Sequence, residues 1–372
     1  MIQQKKHTDL YIFLSIIAIC TVIGFIFIYS SSSAFALEKY GSAHYFVKKQ
    51  FIGCFLGLIG LIICRSIPLN YIKALTPLVF IACLGMTALT MFHRFSPSIN
   101  GSHRWLKIGS FMFQPSELLK MALIAYLSYI LAKKQHRIGS LTQGYLALLC
   151  IIGVTGAVLL KQPDFGQTVT LSVTAFMLLF IAQCNIVHLV STIAGLIPVA
   201  GLLIFLKPYR FKRILTFLNP WLDPQDSGYQ IIQSLIAIGS GHIWGVGIAR
   251  SKQKFFYLPM QCTDFIFSII AEETGLVGAS CLILLYLGFL YFGIKIALKL
   301  TDLFSFYLTL GFVLLTSLQA VINIFVATGL IPTKGLGLPF ISYGNSALLC
   351  NLCMIGVIIN AVSSQKKQKG VF

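Results

Sequence analysis

Long, continuous apolar runs alternate with short polar segments along the whole chain. A helix needs about 20 residues to cross a bilayer, and each run approaches this length. None shows the strict alternation of apolar and polar residues that is typical of a transmembrane β-strand. We therefore predict an all-α polytopic membrane protein. About ten transmembrane helices are expected, at residues 10–30, 46–64, 74–92, 116–132, 143–160, 166–183, 186–206, 263–292, 303–329 and 341–362.

The composition supports this class. Hydrophobic residues make up 57% of the 372 residues and charged residues only 10%, whereas a soluble domain carries roughly 25% charged residues. The mean hydropathy is +0.86. Because no polar block is long enough to form a second core, we predict a single transmembrane domain over residues 1–372.

Basic residues in short loops predict the orientation. Lys5 and Lys6 place the N-terminus in the cytoplasm, and an even number of spans returns the tail, residues 363–372, to the same side. The longest polar segment, residues 207–262, lies between the seventh and eighth spans. It is therefore predicted to be a large extracytoplasmic loop. Its residues Ile231 to Ile238 are too few to span and are expected to lie in the interface or re-enter.

The predicted external segments are also basic, against the usual bias. We interpret this charge as a site for an external anionic ligand, and the alternative is that long loops obey the charge rule less strictly. The net charge of +18 fits anionic lipid headgroups rather than nucleic acid, because no basic-aromatic binding motif accompanies it. The residues concerned are Arg94, Arg104, Lys107, Lys161, Lys207, Arg210, Lys212, Arg213, Arg250, Lys252, Lys254 and Lys334.

Two motifs place ionisable residues at the starts of spans. Glu117 and Lys120 are three residues apart and share a helix face, directly after Pro115, which suits the first helical position. Intramembrane ionisable residues are functional candidates, and a structural ion pair is the alternative. Asp164 precedes the sixth span, where capping of the helix is its simplest explanation.

Asp264 lies where the 207–262 loop meets the eighth span. Capping by Thr263 or Asp264 is one explanation of its position. Glu272 and Glu273 lie about 12 Å further along the helix, at ~1.5 Å per residue, so the span carries more carboxylates than capping needs. A partly desolvated carboxylate has a raised pKa and suits general-base catalysis, which is the second explanation.

Other residue types narrow the chemistry. Small polar residues around Ser342, at the start of the last span, permit close approach of a headgroup or of a neighbouring helix. The ten cysteines are spread through apolar runs, where such residues usually pack as small core side chains. The histidines show no spacing that suggests a catalytic triad, and no cluster has metal-ligand spacing.

Several long stretches together resemble the SEDS family (shape, elongation, division and sporulation) of peptidoglycan polymerases, over nearly the whole chain. The SLIAIGSG run and the GVG and YLP pattern after it are more similar to the FtsW and SpoVE division branch than to RodA. The matching stretches are NGSHRWLKIG at 100–109, QPSELLK at 114–120, DFGQ at 164–167, RILTFLNPWLDPQDSGYQIIQSLIAIGSG at 213–241, TDFIFSIIAEETG at 263–275 and GLIPTKGLGLPFISYGNS at 329–346.

The resemblance implies a ten-helix fold and polymerisation of lipid II, a polyprenyl-pyrophosphate-linked disaccharide peptide, on the external face of the bacterial inner membrane at the division septum. It places the catalytic aspartate on Asp264 and the functional pair on Glu117 and Lys120. A class B penicillin-binding protein, a transpeptidase, and other division proteins are the implied partners. Substrate-binding residues are expected at Arg104, Lys107, Arg213, Gln230 and Ser342.

The chain departs from the family pattern beside this aspartate. Cys262 stands where the family usually has histidine, a glutamate common nearby is replaced within Pro259–Gln261, and Asn345 and His242 replace glycines. None of these departures removes Asp264, Glu117 or Lys120. They leave open whether the missing histidine assists catalysis.

The mechanism expected from the resemblance is glycan transfer to the 4-hydroxyl of an acceptor sugar, with inversion at the anomeric carbon and Asp264 as general base. The sequence establishes no cofactor, and a divalent cation (Mg²⁺ or Mn²⁺) is the one considered, for the leaving pyrophosphate. The alternatives are a lipid II flippase, which predicts essential charges near the midplane, an elongation polymerase of the RodA type, and a non-catalytic scaffold for division partners.

Overall fold

The computed structural model describes residues 2–92, 96–97, 103–108, 111–206, 208–226, 228–255 and 257–368. Arg94 and Lys207, two of the basic residues of the predicted external segments, lie outside the described residues. So do residues 100–102 and 109 of the first family stretch.

The described residues form an almost entirely helical protein. Its first six α-helices are α1 (Ile2–Tyr40), α2 (Tyr45–Ser66), α3 (Leu69–Leu89), α4 (Pro115–Lys133), α5 (Leu146–Lys161) and α6 (Phe165–Ile181). The next six are α7 (Ile186–Phe205), α8 (Pro208–Leu218), α9 (Tyr229–Ser240), α10 (Ile266–Leu298), α11 (Leu303–Ala327) and α12 (Asn345–Gln368).

The prediction of a polytopic membrane protein is confirmed. Eight helices of the described chain are long and apolar enough to cross a membrane, and two shorter apolar helices, Phe165–Ile181 and Ile186–Leu202, accompany them. Each of the ten predicted spans therefore corresponds to an apolar helix. The first is longer than predicted, because the polar residues after residue 30 include no helix breaker before Gly41, whose φ of +70° ends α1.

The predicted external segments meet at one end of the bundle. The side-chain amide of Gln162, after α5, donates to the carbonyl of Thr87 in α3 at 2.8 Å. At the opposite end, Lys295 of α10 pairs with Asp9 of α1 at 2.8 Å, and Gln365 of α12 donates to the carbonyl of Lys299 at 2.9 Å. This grouping is the one that the alternating topology requires.

The 207–262 segment is largely ordered secondary structure. It contains α8, a 3₁₀ turn at Pro220–Leu222 and α9. The apolar stretch predicted to lie in the interface or re-enter is α9, whose Ile231, Ile232 and Ala237 are buried. The hydroxyl of Ser234 donates to the carbonyl of Ala327 at 2.6 Å, so α9 packs against the end of α11.

A kink in α10 receives part of this segment. Gly275 adopts φ 67° and ψ −166° inside the helix, a conformation that favours glycine. The N–H groups after the kink turn to the preceding loop: Leu276 donates to the carbonyl of His242 at 2.9 Å and Val277 to that of Ile243 at 3.2 Å. A Cβ on Gly245 would lie 2.2 Å from the Glu273 carbonyl oxygen, so the loop enters the kink through backbone contacts that leave no room for side chains.

Two departures from the predicted secondary structure are small. A short antiparallel hairpin, β1 (Leu106–Ile108) and β2 (Phe111–Phe113), lies in the segment before α4, where only a loop was expected, because the sequence argument against strands considered only membrane spans. The predicted tail also begins as helix, since α12 continues to Gln368.

Candidate active site

Asp264 lies just before α10 and does not cap it. The helix begins at Ile266 with Phe265 at the cap position and no side-chain cap, and the hydroxyl of Thr263 donates instead to the Met260 carbonyl at 3.1 Å. The capping explanation of Asp264 is therefore wrong, because the helix starts one residue later than a cap at Asp264 requires. The Asp264 carboxylate is half-buried and accepts no hydrogen bond from the described residues.

The surroundings of Asp264 favour its neutral form. Burial raises the pKa of the Asp264 carboxyl to about 6, against the opposing effect of the Arg213 and Arg104 guanidinium groups, while the nearby Asp164 charge raises it further. Such a group is largely ionised at neutral pH and still basic enough to accept a proton, which is the balance that general-base catalysis requires.

Arg104 is held beside Asp264 by the turn between α5 and α6. Its guanidinium donates to the carbonyls of Gln162 at 3.1 Å and Pro163 at 2.8 Å, and lies 3.7 Å from the Asp164 carboxylate. Asp164 caps α6 by accepting from the Gln167 N–H at 3.2 Å, as predicted. Burial raises the pKa of the Asp164 carboxyl, while Arg104 opposes the rise.

Arg213 approaches the same site from α8. Its guanidinium donates to the carbonyl of Thr333 at 2.9 Å, which anchors the amphipathic α8 to the segment before α12. The next residue, Lys334, was counted among the external basic residues but not among the site residues. Burial and the Arg213 charge lower the pKa of its ammonium group. The Arg213 and Arg104 guanidinium groups therefore both lie close enough to act on the Asp264 carboxyl, and Lys334 lies near Arg213.

Glu117 and Lys120 form a buried ion pair in the first turns of α4. Their charged groups are 2.7 Å apart, and the Glu117 and Lys120 side chains are 9% and 2% exposed. Gln167 donates to Glu117 at 3.2 Å, and Lys120 donates to Gln319 of α11 at 3.0 Å. Gln319 did not figure in the sequence analysis, although a polar side chain inside an apolar span is a signal for such contacts.

Ser342 holds backbone segments together around the aspartate. Its hydroxyl donates to the Thr263 carbonyl at 2.5 Å and accepts from the Leu338 N–H at 2.7 Å. The neighbouring Tyr343 N–H donates to the Cys262 carbonyl at 2.9 Å. The Ser342 hydroxyl therefore fixes the peptide that carries Asp264, and its predicted contact with substrate stays a prediction.

Two predicted substrate-binding residues lie outside this network. Lys107 is exposed on β1, and Gln230 is half-buried in the first turn of α9. No hydrogen bond or ion pair among the described residues links either side chain to Asp264. Their roles stay predictions.

Glu272 and Glu273 have a different function from Asp264 in the structure. Glu273 accepts from the Ser30 hydroxyl at 2.6 Å and from the Ala249 N–H at 3.0 Å, and Glu272 accepts from the Lys252 N–H at 2.9 Å. These buried carboxylates fasten the loop that enters the α10 kink. The sequence analysis treated Asp264, Glu272 and Glu273 as carboxylates of one span. In the structure, the two glutamates hold backbone segments, whereas Asp264 accepts no hydrogen bond from the described residues.

Cys262 does not replace the missing histidine chemically. Burial raises the pKa of its thiol to about 12, so the thiol stays protonated at neutral pH and cannot exchange protons there as an imidazole does. Its contribution in the structure is its carbonyl oxygen, which accepts from Tyr343.

Within the part of the chain that the structure describes, no three His, Cys, Asp or Glu side chains lie close enough together to hold an ion. The divalent cation considered from the sequence stays a prediction.

Sequence comparisons match the whole chain. The family model for cell cycle proteins of the FtsW, RodA and SpoVE type matches residues 10–368. Stage V sporulation protein E of Bacillus subtilis (strain 168) is 38% identical over 362 residues, which cover 97% of this chain and 98% of that protein. A probable peptidoglycan glycosyltransferase FtsW of Geobacter sp. (strain M18) is 37% identical over 351 residues, 94% of this chain and 95% of its own.

Solved structures share the fold. A chain of a peptidoglycan synthase complex that coordinates polymerization and crosslinking superposes with a TM-score of 0.79 at 26% identity, covering 95% of this chain and 97% of its own. The rod shape determining protein RodA of Thermus thermophilus gives a TM-score of 0.70 at 24% identity, covering 95% and 96%. With the motifs, the helix order and the full-length match in agreement, the chain belongs to the FtsW/RodA/SpoVE family of cell cycle proteins, the SEDS family.

Proposed function

We propose that this chain is a peptidoglycan glycosyltransferase that polymerises lipid II into glycan strands during bacterial cell division. One observation carries the proposal: a half-buried carboxylate, Asp264, whose pKa of about 6 suits a base and which faces cationic side chains beside a bundle of membrane helices. Relatives named probable peptidoglycan glycosyltransferase FtsW support the same activity.

In the proposed reaction, Asp264 accepts the proton of the acceptor sugar's 4-hydroxyl. The freed oxygen attacks the anomeric carbon of the donor, and the new glycosidic bond forms as the bond between that carbon and the phosphate oxygen breaks. The proton ends on Asp264 and the electron pair leaves with the polyprenyl pyrophosphate. Attack from the face opposite the leaving group inverts the anomeric centre.

Charge develops on the departing pyrophosphate, where cationic groups stabilise it. We assign this role to Arg104 and Arg213, whose guanidinium groups both act on the Asp264 carboxyl. Lys120 is less suited to this role, because its ammonium is buried and bonded to Glu117 and Gln319. When bound, a Mg²⁺ or Mn²⁺ ion would neutralise phosphate charge, held by the pyrophosphate and a carboxylate such as Asp164.

The polyprenyl chain of the donor accounts for an active site set among membrane helices. A flippase would instead need charged groups near the bilayer midplane that are reached from both faces. The candidate groups gather at one end of the bundle, which favours an enzyme.

The proposed setting follows from the same assignment. The chain would lie in the bacterial inner membrane with both termini in the cytoplasm, work at the division septum, and pair with a class B penicillin-binding protein and other division proteins. Similarity to a chain of a peptidoglycan synthase complex supports a transpeptidase partner. Relatives named FtsW and stage V sporulation protein E support the division branch over elongation.

The deciding experiment gives labelled lipid II to the purified protein and its transpeptidase partner, and measures glycan polymer. Asp264→Ala should abolish polymerisation while the protein still inserts in the membrane and purifies as a single species. Asp302→Asn is the matched control, because Asp302 caps α11 and asparagine caps equally well. Polymer made at the wild-type rate by the Asp264 variant would refute the assignment, and lipid II translocation without polymer would identify a flippase.

A further inference from the structure

Two buried amides on α11 face the candidate site. Gln319 and Asn323 are four residues apart and therefore share a helix face, and they are 5% and 1% exposed. Neither belongs to the motifs that carry the family resemblance. Polar side chains buried in a membrane span need partners within the protein, so their partners indicate what they do.

Asn323 joins two backbone segments at the site. Its side-chain N–H₂ donates to the carbonyl of Asp264 at 2.8 Å and to the carbonyl of Leu336 at 2.6 Å. Both hydrogens of one amide are thereby used. The peptide of Asp264 and the segment before α12 are fixed to one side chain.

Gln319 joins the buried ion pair to the same segment. Its side-chain oxygen accepts from the Lys120 ammonium at 3.0 Å, and its N–H₂ donates to the carbonyl of Gly337 at 2.8 Å. Lys120 is in turn paired with Glu117. A continuous chain of polar contacts therefore runs from α4 through α11 to residues 335–338.

The segment at 335–338 lies directly against the Asp264 carboxylate. A Cβ built on Gly335 would be 3.2 Å from Oδ2 of Asp264. At its other end, the Leu338 N–H is bonded to the Ser342 hydroxyl, which is bonded to the Thr263 carbonyl. Movement of this segment would therefore move the carboxylate or change the space in front of it.

We propose that Gln319 and Asn323 are positioning residues, and that the Glu117–Lys120 pair acts on the reaction through Gln319 rather than by touching the substrate. The inference rests on the proposed function. Lys120 is almost fully buried, and its ammonium group is already bonded to Glu117 and Gln319. Its charge holds Gln319, Gln319 holds the 335–338 segment, and that segment with Asn323 fixes Asp264.

A double-mutant cycle with Lys120→Met and Gln319→Ala tests this order. We expect each single variant to lower kcat by roughly 10-fold to 100-fold, as small misplacements of catalytic groups do, with little change in the lipid II KM. The double variant should be no slower than the slower single variant, because both substitutions interrupt the same chain of contacts. If the fold-losses in kcat of the two single variants multiply in the double variant, Lys120 acts independently of Gln319, and the inference is overturned.

Near-isosteric variants separate the individual bonds. Gln319→Glu keeps an acceptor for Lys120 but loses the donor to Gly337, so its kcat should fall as in Gln319→Ala. Asn323→Asp loses the donors to the Asp264 and Leu336 carbonyls, so its kcat should fall to a similar extent. Wild-type kcat in both would overturn the proposal. Ser317→Ala is the control, because Ser317 is buried on the same helix and its hydroxyl bonds to no described residue.

Two further readouts distinguish positioning from general stability. All rates are taken per folded molecule, with the unfolding midpoint recorded for each variant. If Asn323 has only a structural role, Asn323→Ala should lower the unfolding midpoint and leave the pH profile of kcat unchanged. If Asn323 positions Asp264, the same variant should shift the acidic limb of that profile. An inactive wild-type protein would refute the proposed function, whereas active protein with multiplying losses would refute this inference alone.

Discussion

Asp264 and the pair Glu272 and Glu273 belong to one stretch of chain, eight and nine residues apart, yet their environments are opposite. The glutamates are each 1% exposed and accept hydrogen bonds from backbone N–H groups and serine hydroxyls. Asp264 is half-buried and accepts none from the described residues. The loop that passes α10 satisfies the deeper carboxylates and leaves the shallower one for another partner.

This difference shows how a membrane protein uses carboxylates in two ways. A buried charge that is fully hydrogen-bonded holds segments together, since removal of its partners is costly. A desolvated charge without such bonds is available for proton transfer, and its pKa is set by burial. Hydrogen bonding thus distinguishes the two uses within one short stretch of chain, where the presence of a carboxylate alone does not.

The largest expected effect of a substitution on stability is at Glu273. Glu273→Ala leaves Lys254, which lies 3.6 Å from the carboxylate and is buried, without its charge partner. Breaking a buried pair in this way costs about 3–5 kcal/mol, so the unfolding midpoint in detergent should fall sharply. Activity per folded molecule should stay within a few-fold of wild type. Glu38→Ala, at an exposed glutamate of α1, is the control; an unchanged midpoint for Glu273→Ala would contradict the structural role.

The pH dependence of the rate tests the other side of the comparison. With the pKa of Asp264 raised to about 6, the fraction of ionised base falls tenfold per pH unit well below that value. Initial polymerisation rates at saturating lipid II should therefore be half-maximal near pH 6 and level above pH 7. A rate that stays constant down to pH 4.5 would exclude Asp264 as the base.

Gly335→Ala should have a smaller effect. The added methyl group would approach Oδ2 of Asp264 to 3.2 Å, so the carboxylate or the segment must shift by a few tenths of an ångström. We expect kcat to fall by up to about tenfold, because this shift is smaller than the misplacements of about 1 Å that cost roughly 100-fold in rate. Gly85→Ala, where the added methyl group meets no atom within 4 Å, is the matched control, and equal rates for both would argue against close contact at Asp264.

The smallest effect is the stability change of Asp264→Asn with pH. Because burial raises the pKa of Asp264 in the folded protein, the folded state binds more protons than the unfolded state between about pH 4 and pH 6. The wild type therefore loses stability as pH rises through this window, and the asparagine variant does not. Asp264→Asn should be the more stable protein at pH 7.5, with the difference vanishing below pH 4. If the wild type is more stable than Asp264→Asn at pH 7.5, the Asp264 carboxylate must accept hydrogen bonds in the folded protein, which would contradict the structure.

Local sequence signals predicted much of the fold and part of the site. Continuous apolar runs correspond to helices in every predicted span, because the bilayer length sets the run length. The spacing of Glu117 and Lys120 predicted an ion pair, and Asp164 predicted a cap, since both contacts form within a few residues along the chain.

The remaining features depend on contacts between distant residues. Gln319 binds Lys120 across 199 positions, and no local pattern announces such a pair. Capping by Asp264 and the observed arrangement differ by a one-residue shift of the helix start, which hydropathy does not resolve. The entry of the loop into the α10 kink depends on Gly275 and Gly245 facing each other, a relation that only the folded chain reveals.

The half-buried state of Asp264 also affects the turnover cycle. Each sugar addition in the proposed reaction leaves one proton on this carboxyl, which must be lost before the next addition. A sealed base would need a relay of side chains to discharge it. Because Asp264 is only half-buried and its carboxyl has a pKa near 6, we expect the proton to pass to solvent at neutral pH, so that the enzyme is reset between additions without a relay of side chains.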